Sequence, residues 1–237
     1  MNHGAKQTGN RRAGFTLIEL MLAMTFISLL LIAIAMAVIQ MTGTYNRGLA
    51  LKEVNQTTRS VSETLRETAA QSDLVRVSSD YIATTAGGNG RLCLGTYSYI
   101  WNTVRAFRGD LNADPIKFEG DASRKLQLVR VPDPSKIYCS QPTGTLVYKD
   151  IRAADIPSVQ ELVDPGEHML ALSKFTLGAS PVIDEATGEG LYTIDYTITA
   201  GDPVTMNADQ SACLEPSTAG ANVNYCVVQQ FSIVLRI

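Results

Sequence analysis

The chain has 237 residues, with 20 Lys and Arg against 23 Asp and Glu, and a net charge of −3. That mildly acidic balance argues against non-specific nucleic-acid binding, which needs an excess of phosphate-neutralising Lys and Arg. The length allows one globular domain beside a membrane segment, not two. Four cysteines without a Cys-x-x-Cys spacing, and only two histidines, His3 and His168, argue against structural zinc.

The first fourteen residues carry Lys6, Arg11 and Arg12 and no acid, and an apolar run follows, Gly14 to Ile39. Its core, Leu20 to Ile39, would span about 30 Å as a helix, the thickness of a bilayer interior. No Gly or Pro interrupts it, and the basic flank would keep its start on the cytoplasmic side. A secretory signal would have a shorter apolar region followed by a small-residue cleavage site. Here the small residue, Gly14, comes first, so a cut there would leave the membrane helix on the mature chain. Glu19 is the only charge near the run. An ionisable group at the edge of a membrane helix costs roughly 2.5–3.5 kcal/mol and is expected to find a partner. The bland alternative is a Glu that snorkels to lipid headgroups.

From Thr44 to about Ser72 the pattern stays helical. Leu51, Val54, Thr58, Val61 and Leu65 recur at spacings of three and four, one semi-apolar stripe. Arg59 and Glu63 lie off it and are placed for an i,i+4 pair. With no Pro between Phe15 and Ser72, one long helix is expected, bending at Gly43 or Gly48. Its first half would lie in lipid and its second on the globular domain. A coiled coil between subunits is the weaker alternative, for want of four clean heptads.

Thr84 to Gly90, TTAGGNG, predicts a flexible break. A β-prone run follows, with Leu92, Leu94, Thr96, Tyr97, Tyr99, Ile100 and Trp101. Further strands are predicted at Lys125–Val131, Thr145–Tyr148, Met169–Leu177, Leu191–Thr199 and Val227–Ile237, separated by Pro and Gly turns. A long helix followed by hairpin-spaced strands implies α+β, a helix packed on one face of an antiparallel sheet. The expected division is 1–14 leader, 15–43 membrane helix, 44–79 amphipathic continuation and 80–237 β-rich domain. Cys93, Cys139, Cys213 and Cys226 allow three pairings. Cys213–Cys226, which closes a short loop, with Cys93–Cys139 is the expected one. Buried free thiols are the alternative.

Ala13-Gly14-Phe15-Thr16-Leu17-Ile18-Glu19, with its basic leader and apolar run, resembles the processing site of type IV prepilins and the related pseudopilins. The resemblance implies cleavage after Gly14 by a membrane-embedded prepilin peptidase and N-methylation of Phe15 by the same enzyme. It implies that Glu19, the fifth mature residue, pairs with the Phe15 amine of a neighbouring subunit during assembly. Major pilins of this family usually break the helix inside the apolar run. Here the first Gly is Gly43 and no Pro precedes Pro115, which leans toward a minor pilin or pseudopilin. Val61 to Ser79 is loosely similar to the end of the long helix in the larger J- and W-type minor subunits. The implied partners are sister pilin subunits, the peptidase, an inner-membrane assembly platform and the lipid bilayer. The implied location is the cytoplasmic membrane, single-pass, with the β domain outside and later in a pilus or pseudopilus.

No catalytic constellation is visible and no cofactor is expected. His168 follows a Pro165-Gly166 turn and reads as a surface imidazole. Asp110, Asn112 and Asp114 alternate like the start of a calcium loop. The sixth position is Pro115 where that loop needs Gly, and the twelfth is Asp121 rather than Glu, so a solvated acidic loop is expected. Asp184, Glu185 and Glu189 form a second such turn, and Arg108-Gly109-Asp110 is a chance tripeptide. The leading expectation is therefore a structural filament subunit. The alternative is a filament-tip recognition subunit, an adhesin or DNA-uptake protein, with Tyr97, Tyr99 and Trp101 stacking on sugars or bases. A membrane-tethered enzyme comes last, for want of a site.

Overall fold

The computed structural model describes residues 14–72, 75, 77–84, 87–108, 114–121, 123–140, 149–166, 169–183, 190–215, 217–219 and 226–236. The chain divides into two compact units, with the boundary between Thr44 and Tyr45. Helix α1, Leu17–Ala70, supplies residues to both. In the first unit it is a bare helix: every side chain from Phe15 to Thr42 is exposed.

In the second unit α1 is amphipathic. Val54, Val61 and Leu65 are wholly buried and Thr58 and Ala69 nearly so, one stripe at helical spacing. Arg59 and Glu63 stay exposed, and the i,i+4 ion pair expected between them is not formed. Two exposed charges in water gain only tenths of a kcal/mol by pairing. The continuation expected to reach Ser79 ends at Ala70. The amides of Gln71 and Ser72 bond to Thr68 and Ala69 three residues back, which closes the last turn. Beyond it the Tyr192 hydroxyl donates to the Val75 carbonyl at 3.1 Å, holding buried Val75 outside a helix. A separate short helix follows, α2, Val77–Asp80.

Five antiparallel strands make the first sheet, in chain order: β1 Tyr81–Ala83, β2 Asn89–Leu94, β3 Tyr97–Asn102, β4 Leu128–Pro132 and β5 Gln160–Val163. The single β-prone run expected across Leu92–Trp101 is a hairpin, folded at Gly95-Thr96. Gly95 takes φ +58° as the first central residue, the sign pattern of a II′ turn. Gly90, expected in a flexible break, lies in β2 opposite Trp101. A Cβ there would come within 2.3 Å of the indole, so the strand needs glycine. The strand expected from Lys125 starts instead at Leu128; just before it the Gln127 side chain accepts the Leu172 amide at 3.0 Å.

This sheet is buried on both faces, not one. Leu92, Leu94, Tyr99, Trp101 and Leu128 join the α1 stripe in the main core. Ile100, Val129 and Val131 face the other way and pack with Phe118, Leu126, Tyr138 and Ile151 from the connecting loops. Helix α3, Val104–Arg108, leads into those loops. The second sheet holds β6 Ala171–Ile183, β7 Gly190–Gly201 and β8 Cys226–Arg236, antiparallel in that order. Its inward residues Leu172, Phe175, Ile194, Tyr196, Ile198, Ile233 and Leu235 complete the main core. A chain of rings, Tyr81, Trp101, Phe175, Tyr196 and Phe231, joins the two sheets at centroid distances of 5.9, 4.4, 6.3 and 5.6 Å. The architecture is α+β with antiparallel sheets. The strand expected at Thr145–Tyr148 lies outside the described residues.

Candidate membrane and assembly helix

The helix opens on a capping box. Thr16 precedes the first helical residue, and its Oγ1 accepts the Glu19 amide at 3.3 Å. Glu19 Oε2 reaches back to accept the Thr16 amide at 3.3 Å and the Thr16 hydroxyl at 3.2 Å. Two otherwise orphaned helix N–H groups are thereby satisfied, and a carboxylate sits at the positive end of the helix dipole. Glu19 thus has a local task that the sequence reading missed. The Thr-x-x-Glu signature was present to be read in Thr16–Glu19. Gly14 and Phe15 lie just before this cap, both exposed.

Beyond the cap the surface is continuously apolar. Among the described residues, α1 is the one helix long and apolar enough to cross a membrane, and none of that window is buried. Four hydroxyls occur between Leu17 and Thr44, and each returns to its own helix. Thr25 donates to the Leu22 carbonyl at 2.9 Å, Ser28 to Met24 at 2.8 Å, Thr42 to Val38 at 2.9 Å and Thr44 to Gln40 at 3.1 Å. No hydroxyl in this stretch needs water, the condition a hydrocarbon environment imposes.

In the second unit, tyrosines hold the amphipathic half of α1. The Tyr196 hydroxyl of β7 donates to the Thr58 carbonyl at 3.1 Å and lies 2.9 Å from Ser62 Oγ. The Tyr99 hydroxyl of β3 lies 2.7 Å from Thr68 Oγ1 and 3.2 Å from the Thr64 carbonyl. Burial pushes both phenols above the usual tyrosine range, against the pull of the neighbouring hydroxyls. Each sheet therefore grips the helix once. These residues are separated by more than thirty positions in the sequence, so no local pattern announces them.

Two disulfides join Cys93 to Cys139 and Cys213 to Cys226. The first is prepared by Asp133, which accepts from Ser98 Oγ at 2.7 Å and from the amides of Ile137 and Tyr138. Those bonds shape the turn that brings Cys139 against Cys93, the cross-strand partner of Ser98. The second ties the loop after β7 to the start of β8, and Asn207 caps that loop by accepting from Ser211 and Ala212.

The aromatic residues of β3 on which the alternative recognition reading rests are largely buried. Tyr99 and Trp101 have no exposed surface, and Tyr97 carries the Arg130 guanidinium 4.4 Å over its ring. Period-2 alternation puts all three on the face toward the main core, Tyr99 and Trp101 wholly buried and Tyr97 half-buried at its margin. Asp114 pairs with Lys149 at 3.0 Å, and hydrogen bonding to that ammonium holds its carboxyl below the usual range. Asp110, Asn112, His168, Asp184, Glu185, Glu189 and the Arg-Gly-Asp centre lie outside the described residues, as do residues 1–13 of the leader. Among the described residues no three His, Cys, Asp or Glu side chains are grouped to hold a metal. The chain matches no family model, no curated protein and no solved structure.

Proposed function

We propose that the chain is a structural minor subunit of the type IV pilin and pseudopilin class. It is made as a precursor, cut between Gly14 and Phe15 by a prepilin peptidase, and N-methylated at Phe15. The mature chain rests in the cytoplasmic membrane with its β domain outside, then leaves the bilayer to pack beside sister subunits. What supports the reading is one helix with two characters. It has a membrane-length, unburied apolar half behind a Gly-Phe junction and an amphipathic half seated on a disulfide-bonded β domain. Disulfides suit the oxidising side of that membrane. Removing Lys6, Arg11 and Arg12 with the leader shifts the net side-chain charge from −3 to −6, so no polybasic patch remains at the start.

The test has two stages. Mass spectrometry of the chain from cells should find a mature form beginning at N-methylated Phe15. An intact Met1, or a cut after Ile39, overturns the reading. Glu19→Gln then separates the two tasks of that residue, since Gln also completes a capping box but carries no charge. Failure of this variant to enter filaments, despite normal insertion and cleavage, is the expected result. Normal incorporation would leave Glu19 with the cap alone.

A further inference from the structure

Strand edges are templates for other strands, and folded proteins usually guard them. Among the described residues three of the four sheet edges are guarded. β1 and β5 have only 3 and 4 residues. β6 carries Lys174 and Pro181, which has no amide hydrogen, and its register with β7 shifts at Leu172/Lys174 and at Ala179/Ile183. The remaining edge, β8, has none of these devices. It pairs with β7 over 11 residues without a shift, and from Val227 to Leu235 it holds no charge and no Pro.

Beside this edge lies an open groove of about 280 Å³, between the flank of α1 and β8. Arg59, Ser62, Glu63 and Arg66 form one wall and half-buried Phe231 the other. Neither arginine has an ion-pair partner among the described residues, so with Glu63 between them the groove keeps one net positive charge.

We propose that the β8 edge and this groove together receive an extended acidic segment of a partner protein, added as a fourth strand. Main-chain hydrogen bonds along β8 would supply affinity that is indifferent to sequence. An apolar side chain on Phe231 and a carboxylate between Arg59 and Arg66 would supply the selection. A second copy of this chain fits worse, because β8 offers no acid to the other copy's arginines. The inference concerns the second unit alone and does not depend on the filament reading.

The experiment uses the full chain in lipid nanodiscs and follows amide hydrogen exchange along β8. The probes are two short synthetic peptides of alternating valine and threonine, one with central aspartates and the other with lysines in their place. The aspartate peptide should slow exchange from Val227 to Leu235 by about tenfold. The lysine peptide should not, and raised salt or the Arg59→Glu/Arg66→Glu pair should remove most of the effect. Both arginines are exposed, so an unchanged urea midpoint is expected to show that the double variant remains folded. Equal protection by both peptides, protection by neither, or indifference to the double variant overturns the proposal. So does β8 exchange that is already as slow as that of β7 in the chain alone, whether it depends on protein concentration, which would mean a second copy, or not.

Discussion

The two stretches of α1 have the same backbone and opposite surroundings. From Leu17 to Thr44 apolar side chains cover every side of the helix, and none of them meets another element within its own unit. From Tyr45 to Ala70 the apolar residues shrink to one stripe, and that stripe is the centre of the main core. A helix apolar all round is made for an apolar solvent, and a helix apolar on one side is made for a protein surface. The difference lies in where the hydrophobic effect finds its partner: the sheets supply it for the second half, while the first half, long and apolar enough to cross a membrane, finds none within its own unit.

Equal substitutions in the two halves give the strongest test. Leu65→Asp puts an unpaired charge in the core and should cost more than about 4 kcal/mol, enough to unfold the domain. Leu30→Asp should cost roughly 3 kcal/mol of membrane insertion and leave domain stability within about 0.5 kcal/mol. Membrane fractionation together with urea unfolding in detergent separates the two outcomes. A Leu30→Asp chain whose domain is equally destabilised would break the comparison.

Disulfide removal comes next and belongs wholly to the second half. Chain entropy assigns about 4 kcal/mol to the bridge spanning 46 residues and about 3 kcal/mol to the one spanning 13. Replacing Cys93 and Cys139 by Ser should therefore lower the urea midpoint more than replacing Cys213 and Cys226. The reverse order would mean that the Asp133 turn holds its loop without the sulfurs.

The tyrosine grip gives the smallest effect and the sharpest one. Tyr99→Phe and Tyr196→Phe should each cost about 1 kcal/mol, with the helix stripe still buried. Both phenols, and Tyr138, titrate higher in the folded chain than the ordinary value of 10.0, Tyr138 at about 12 through burial and its bond to Asp155. The folded state thus keeps protons that the unfolded state releases. The stability these groups contribute is complete below pH 10 and is lost as the pH rises toward 12. Alkaline unfolding followed by tyrosinate absorbance should show that fall, and the Phe variants should flatten it. A pH-independent midpoint across that range would remove the phenols from the account.

The long helix was legible because an apolar run of membrane length and a spaced stripe are both local patterns. So were β7 and β8, whose expected spans differ from the observed ones by a residue or two. The hairpin at Gly95-Thr96 was hidden because one β-prone composition covers both of its arms. β1 and β5 are too short to leave a periodic trace, and they exist because neighbouring strands bond them. At the candidate site Gly14, Phe15 and Glu19 stood out from sequence order, while the Thr16 cap was written there and overlooked.

What the sequence determined by itself was the character of each segment, since apolar length, charge placement and breaker residues act over a few neighbours. It determined that one helix can lie in a bilayer and then turn amphipathic, and that β structure follows. Tertiary structure alone decided which aromatic rings are buried, that the first sheet is covered on both faces, and which carbonyls the tyrosines hold. It also decided which strand edge was left unguarded. Those outcomes depend on contacts between residues far apart in the chain, such as Ser62 with Tyr196, whose loop-closure cost only the assembled core can offset.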